Sequence, residues 1–148
     1  MKIQISTDYA LRILRYLHEN KGELHTAMNI AQAIGITYPV FIKIANQMKR
    51  EKLLNSAQGR HGGYQLGKPA HEISFYDVYL CIEGDLQINR CFKETEDEPC
   101  TNGHKAHCKL HQFLHSLQDE MIASMSEVSI ADLVGSGNRR CCSYDPGI

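Results

Sequence analysis

Two short helical patterns separated by a single glycine turn constrain this chain more than any other feature. Thr26 begins the first, which carries Met28, Ile30, Ala31 and Ile34 before Gly35-Ile36 breaks it. Thr37 then caps a second helix, with Pro39 tolerated in a first turn where no N–H has an intrahelical partner. Val40, Ile44, Ala45 and Met48 form its inward stripe, and Lys43, Gln47 and Arg50 face outward. Two short helices joined by a tight glycine-containing turn make a helix-turn-helix. The outward set mixes phosphate-binding cations with an amide able to read base edges.

The flanks complete a winged domain. Upstream, Ser6 caps a helix whose apolar residues Tyr9, Ala10, Ile13, Leu14 and Leu17 follow helical spacing and which ends near Asn20-Lys-Gly22. Downstream, Leu53-Leu54 begins a strand that runs into Gln58-Gly-Arg-His-Gly-Gly63, and Tyr64-Gln-Leu66 returns as its partner, giving a β-hairpin with a flexible basic tip. The expected DNA-contacting set is Thr37, Tyr38, Lys43, Gln47 and Arg50 on the helix and Arg60, His61, Gly62, Gly63 and Tyr64 on the wing. The glycine tract does not suit a nucleotide, because it has neither dinucleotide-binding spacing nor a P-loop ending and joins two strands instead of opening a helix. Charge agrees with a nucleic-acid partner: residues 1–70 carry ten Lys/Arg against four Asp/Glu, a net +6, whereas residues 71–148 carry six against thirteen, a net −7.

Beyond residue 70, Ser74-x-x-Asp77 is a capping pattern for a helix with Phe75, Val78, Tyr79 and Ile82, in which Cys81 reads as a small core hydrophobe. Leu86-Gln-Ile88 is expected as a short strand delivering the chain to Cys91. From about Lys105 to Val128 apolar residues recur at helical spacing over a length that a small winged domain does not cover. That predicts a dimerisation helix with Leu114, Leu117 and Met121 at the interface. Ser129-Ile-Ala-Asp132-Leu-Val134 reads as a capped turn packing back, and Gly135-Ser-Gly137 opens a tail. The expected fold is mainly α with a small β-hairpin wing: a winged helix-turn-helix over 1–70, a sensor loop and dimerisation helix over 71–134, and a flexible tail over 135–148 that includes Cys141 and Cys142.

Cys91, Cys100 and Cys108 lie in a polar, histidine-rich stretch too hydrophilic to fold around a core, so they are not there for packing. Thiolates suit an iron–sulfur cluster, zinc or copper(I). His104, His107, His111 and His115 lie nearby, and Cys108 and His111 become neighbours if a helix begins there. The first residues do not form the long apolar run of a signal peptide and no stretch suffices to span a bilayer, so a cytoplasmic protein without membrane contact is expected. In that compartment six cysteines point to metal ligation or redox chemistry rather than permanent disulfides. No catalytic constellation stands out, and an enzyme is not expected. A zinc- or thiol-based redox sensor without a cluster is the alternative.

These residues resemble the Rrf2 family of bacterial winged-helix regulators. The resemblance covers Met1 to about Val134 and rests on Thr7-Asp-Tyr-Ala-Leu-Arg12, on Gly59-Arg-His-Gly-Gly-Tyr64 followed by Leu66-Gly67, on the three cysteines, and on Ile130-Ala-Asp-Leu-Val134. It implies a homodimeric regulator, usually a repressor, that binds a palindromic double-stranded DNA operator. It also implies an iron–sulfur cluster, of four-iron or two-iron type, that responds to nitric oxide, redox state or cluster supply. By the same resemblance Cys91, Cys100 and Cys108 are the cluster cysteines, with Asp8, matching the nitric-oxide-sensing branch, favoured as fourth ligand over His111, matching the cluster-biogenesis branch. The chain departs from the family pattern in its longer gaps of eight and seven residues between these cysteines.

Overall fold

The computed structural model describes residues 2–92 and 108–134. Three helices form the front of the molecule: α1 (Ile5–Glu19), α2 (Ala27–Ile34) and α3 (Tyr38–Arg50). Thr26 caps α2, its side chain accepting from the Asn29 N–H at 3.2 Å, and Gly35 ends it in the left-handed region at φ 75°. A side chain is strained in that conformation, which is why glycine stands at the turn. The axes of α2 and α3 differ by 110°, the geometry of a helix-turn-helix.

Strands β1 (Leu54–Ala57) and β2 (Gly63–Leu66) pair antiparallel in the register Leu54 with Leu66 and Ala57 with Gly63. Helix α4 (Phe75–Glu83) begins in a full capping box: Ser74 Oγ accepts from Asp77 N–H at 3.0 Å, and Asp77 accepts from Ser74 N–H at 2.8 Å. After one 3₁₀ turn at Arg90–Phe92 come α5 (Lys109–Glu127) and α6 (Ile130–Val134). The core draws Ala10, Ile13 and Leu14 from α1, Phe41 and Met48 from α3, and Ile73, Val78 and Ile130 from beyond residue 70. Ser129 and Asp132 cap α6, and Ile130 N–H donates to Ile73 O at 2.9 Å, so α6 folds back onto α1 as the sequence indicates. No single helix among the described residues is long and apolar enough to cross a membrane.

Three local expectations are corrected. Ser6 does not cap α1: the cap position lies two residues earlier, at Gln4, and the carboxylate that reaches it comes from far along the chain. Glu83 at the end of α4 accepts from Gln4 N–H at 2.9 Å and from the hydroxyl of Thr7, which is wholly buried. Leu86–Ile88 is not a strand, and among the described residues no strand lies beside it. Leu86 is instead buried, and the Ile88 N–H is taken by Gln118 of α5 at 3.2 Å. In α3, Phe41 occupies the core position expected of Val40, which is 37% exposed. Both residues fit the helical spacing of Ile44 and Met48, and the larger side chain takes the interior.

The Glu83 cap sets the first prediction. Glu83→Ala removes a donor-satisfying carboxylate and leaves the Thr7 hydroxyl unpaired in the core, at an expected cost of about 1–3 kcal/mol. Chemical denaturation measures it, and an unchanged midpoint would show that the contact is dispensable.

Candidate nucleic-acid interface and thiol–histidine cleft

Because Phe41, Ile44, Ala45 and Met48 face the core, α3 turns Val40, Lys43 and Arg50 to the surface, with Gln47 half-buried among them. Thr37 occupies the cap position but its side chain makes no cap bond. Thr37, Tyr38, Pro39 and Val40 are all exposed, so the tip of α3 projects freely.

The wing is seated against this helix. The Phe41 and Tyr64 rings meet edge to face, with centroids 5.1 Å apart. Burial, followed by the nearby Tyr38 phenol, pushes the Tyr64 hydroxyl above its ordinary pKa. Tyr64 also exchanges backbone hydrogen bonds with His25, at 2.8 and 3.1 Å. A Cβ on Gly63 would lie 2.7 Å from the His25 carbonyl oxygen, so glycine there serves close backbone approach. Arg60 and His61 stand exposed at the hairpin tip. Gly62, Gly63 and Tyr64 are half-buried and make the contacts that hold the wing in place. Sequence reasoning overlooked His25, whose ring bonds to Asn20 O at 2.9 Å and packs edge-on against Tyr16. A lone histidine in a connection gives no signal of that role.

Elements beyond residue 70 line a cleft of about 780 Å³ that includes Tyr76, Asp85, Cys91, His111 and Gln118. Cys91 sits on the 3₁₀ turn, its N–H held by Asn89 Oδ1 at 3.2 Å. Its Sγ lies 3.3 Å from Nδ1 of His111 on α5. Phe92 packs edge-on against both His111 and His115, with centroids at 5.2 and 5.8 Å. Cys108 is the residue before α5, one turn from His111, and its carbonyl accepts from Gln112 N–H at 3.1 Å. His115 is paired with Asp119 at 2.9 Å.

Asp8 is elsewhere in the chain. Its carboxylate meets Arg12 at 2.9 Å, in a second cleft lined also by Arg15, Tyr16 and Leu133. Cys100, His104, His107, Cys141 and Cys142 lie outside the described residues. Among the described residues no three His, Cys, Asp or Glu side chains converge on a metal position. Cys81 packs against the core from α4, and its thiol is pushed up to about 11 by burial and then by Glu51. It stays a neutral thiol at physiological pH, as a core residue should.

The described residues combine a helix-turn-helix, a seated basic wing and a helix, α6, folded back on α1. Residues 3–136 match the model of the Rrf2 family, described as an iron-dependent transcriptional regulator. The chain belongs to the Rrf2 family. Rrf2 proteins are transcriptional regulators that bind DNA, not enzymes. A putative HTH-type transcriptional regulator, YffB of Lactococcus lactis, is 31% identical over 126 residues, covering 84% of this chain and 80% of its own. The HTH-type transcriptional regulator NsrR of Shouchella clausii is 27% identical over 135 residues, covering 90% and 89%. Among solved structures, the global cysteine regulator CymR of B. subtilis superposes with a TM-score of 0.71 at 20% identity, covering 93% of this Rrf2 chain and 99% of CymR. IscR of T. potens gives 0.67 at 16% identity, covering 90% and 86%. These two likenesses establish the fold.

Proposed function

We propose that this Rrf2 protein is a cytosolic, homodimeric repressor that binds a palindromic operator and senses nitric oxide, redox state or cluster supply through an iron–sulfur cluster. Residues 1–70 bind DNA, residues 71–134 sense and dimerise, and residues 135–148 form a tail. Cys91, Cys100 and Cys108 are the cluster thiolates. The observation that carries this reading is the 3.3 Å approach of Cys91 Sγ to His111 Nδ1, which sets a soft thiol beside an imidazole on the helix that Cys108 precedes. That donor set fits an iron–sulfur cluster. When bound, the cluster supplies a redox-active centre reactive towards nitric oxide.

Within one chain the geometry favours His111 as fourth ligand. Asp8 is held by Arg12 in a cleft that Cys91 and His111 do not line, so as a ligand it would come from the partner protomer. Since the Asp8–Arg12 pair is about half exposed, breaking it costs little, and the partner-donated arrangement is the second reading. The same thiol–imidazole pair is also a zinc donor set, which supports a zinc- or thiol-based sensor as the alternative. Visible absorbance after anaerobic purification separates the two, because zinc is colourless.

Helix α5 connects sensing to DNA. It carries His111 towards the cleft, and it exposes Leu110, Phe113 and Leu117 for a partner copy. Cys91 and His111 would hold the cluster between the 3₁₀ turn and α5, so α5 would take a different placement in the loaded and empty protein, changing the spacing of the two α3 helices and hence operator affinity.

Lys43→Ala and Arg60→Ala are each expected to weaken operator binding without unfolding the protein, since both side chains are exposed. Each lost phosphate contact lowers the slope of log affinity against log salt by about one unit. Titrations at several salt concentrations test this; unchanged affinity and slope in both variants would exclude the docking face.

A further inference from the structure

Three of the exposed large hydrophobic side chains lie on the helix-turn-helix: Met28, Tyr38 and Val40. A scattered apolar residue on a surface needs no special account. Val40 differs in its setting. It stands in the first turn of α3, and in helix-turn-helix proteins the N-terminal residues of the second helix are the ones that meet base edges. Lys43 and Gln47 follow it at spacings of three and seven, so the three share the outward side of the helix. Tyr38 leans the other way, towards Tyr64 of the wing, whose hydroxyl it perturbs. Pro39 is exposed beside Val40 and offers no N–H, and the Thr37 side chain makes no cap bond. At Pro39 and Val40 the tip of α3 therefore presents carbon, set between the unbonded hydroxyl of Thr37 and, further along the helix, the cation of Lys43 and the amide of Gln47.

We propose that Val40 is a specificity-determining residue that reads thymine through its 5-methyl group in each half-site of the operator. The inference rests on the operator-binding reading above. Valine has neither donor nor acceptor. Opposite a G·C pair it would strip water from the cytosine amino group and the guanine acceptors and return nothing. Opposite thymine it covers a methyl group instead, and contact between two apolar groups is the favourable outcome. The cationic residues around it supply attraction to the backbone without regard to sequence, which leaves discrimination to the contact at the tip.

The test begins with anaerobically purified full-length protein and a random-sequence duplex pool, from which bound duplexes are selected. The selected duplex is remade with each thymine in turn replaced by uracil, which keeps every hydrogen-bonding group and removes only the methyl. One thymine per half-site is expected to show about fourfold weaker binding on that replacement, and Val40→Ala is expected to bind the thymine and uracil duplexes alike at that position. If no sequence-selective duplex emerges, the operator-binding reading itself is overturned. If a selective duplex emerges but no position is sensitive to uracil, or the uracil penalty is the same in Val40→Ala as in wild type, only the role of Val40 falls. A wild-type scan without a uracil-sensitive thymine overturns the role of Val40 even where the variant folds poorly, and where a sensitive thymine is found Val40→Thr, close in volume, replaces Val40→Ala in the comparison.

Discussion

Alanine at Cys91, Cys100 or Cys108 is expected to abolish the visible absorbance of anaerobically reconstituted protein, while Cys81→Ala leaves it intact. The expectation follows from ligand number: three thiolates leave one position for another donor, and losing one leaves a cluster with two open sites. Cys81 is a control with a physical reason, because its half-buried thiol packs against the core on α4 and is pushed up to about 11, so it is neither placed nor ionised for ligation. The fourth ligand is resolved in the same series. If His111 ligates, His111→Ala gives a cluster that decays faster in air and under nitric oxide, and Asp8→Ala behaves as wild type. The reverse pattern assigns the ligand to Asp8 of the partner protomer. Full colour in all three cysteine variants would sink the cluster altogether, and colourless wild-type protein containing zinc would establish the alternative.

Much of the local chemistry was legible in the sequence where the partners of a residue are a few positions away, Thr37 excepted, which holds the cap position without a cap bond. Thr26, Gly35, the Ser74–Asp77 box and the Ser129–Asp132 cap all stand as their spacing implies, because the groups they satisfy are backbone groups of the same turn. What the sequence hid is non-local. The start of α1 is fixed by Glu83, over seventy residues away, through the Gln4 N–H and the Thr7 hydroxyl, a contact no local spacing shows. Val40 and Phe41 fit one helical pattern equally well; the larger side chain went inside, where the wing brings the Tyr64 ring against it, a partner the local pattern does not show. His25 acquires its importance from a strand nearly forty residues further on. The Cys91–His111 approach spans twenty residues across a polar stretch, so spacing named both residues but did not pair them. Family resemblance and charge segregation indicated a DNA-binding regulator; neither indicated that the helix tip would be apolar.

Leu117→Glu is expected to convert a dimer into a monomer. Helix α5 is nineteen residues long and none of them is buried within the chain, although Leu110, Phe113 and Leu117 are large and apolar. Leu117 borders an apolar groove with Met121, Met125, Val128 and Leu133, and Ile3 and Phe75 close its other side. Leu114, half-buried, lies on the inner side of the same helix. A second copy laid across this face buries what one chain leaves in water, and twofold symmetry makes each substitution count twice. Two carboxylates brought into an apolar seam lose solvation and gain no partner, a penalty on the order of 3 kcal/mol or more. That raises the dimer dissociation constant by a factor of at least about 10². Operator affinity should fall with it, since a monomer engages only one half-site. Sedimentation of wild type and variant at micromolar concentration decides: a variant that remains fully dimeric would move the interface off α5, and a monomeric wild type would remove the two-half-site mode of binding.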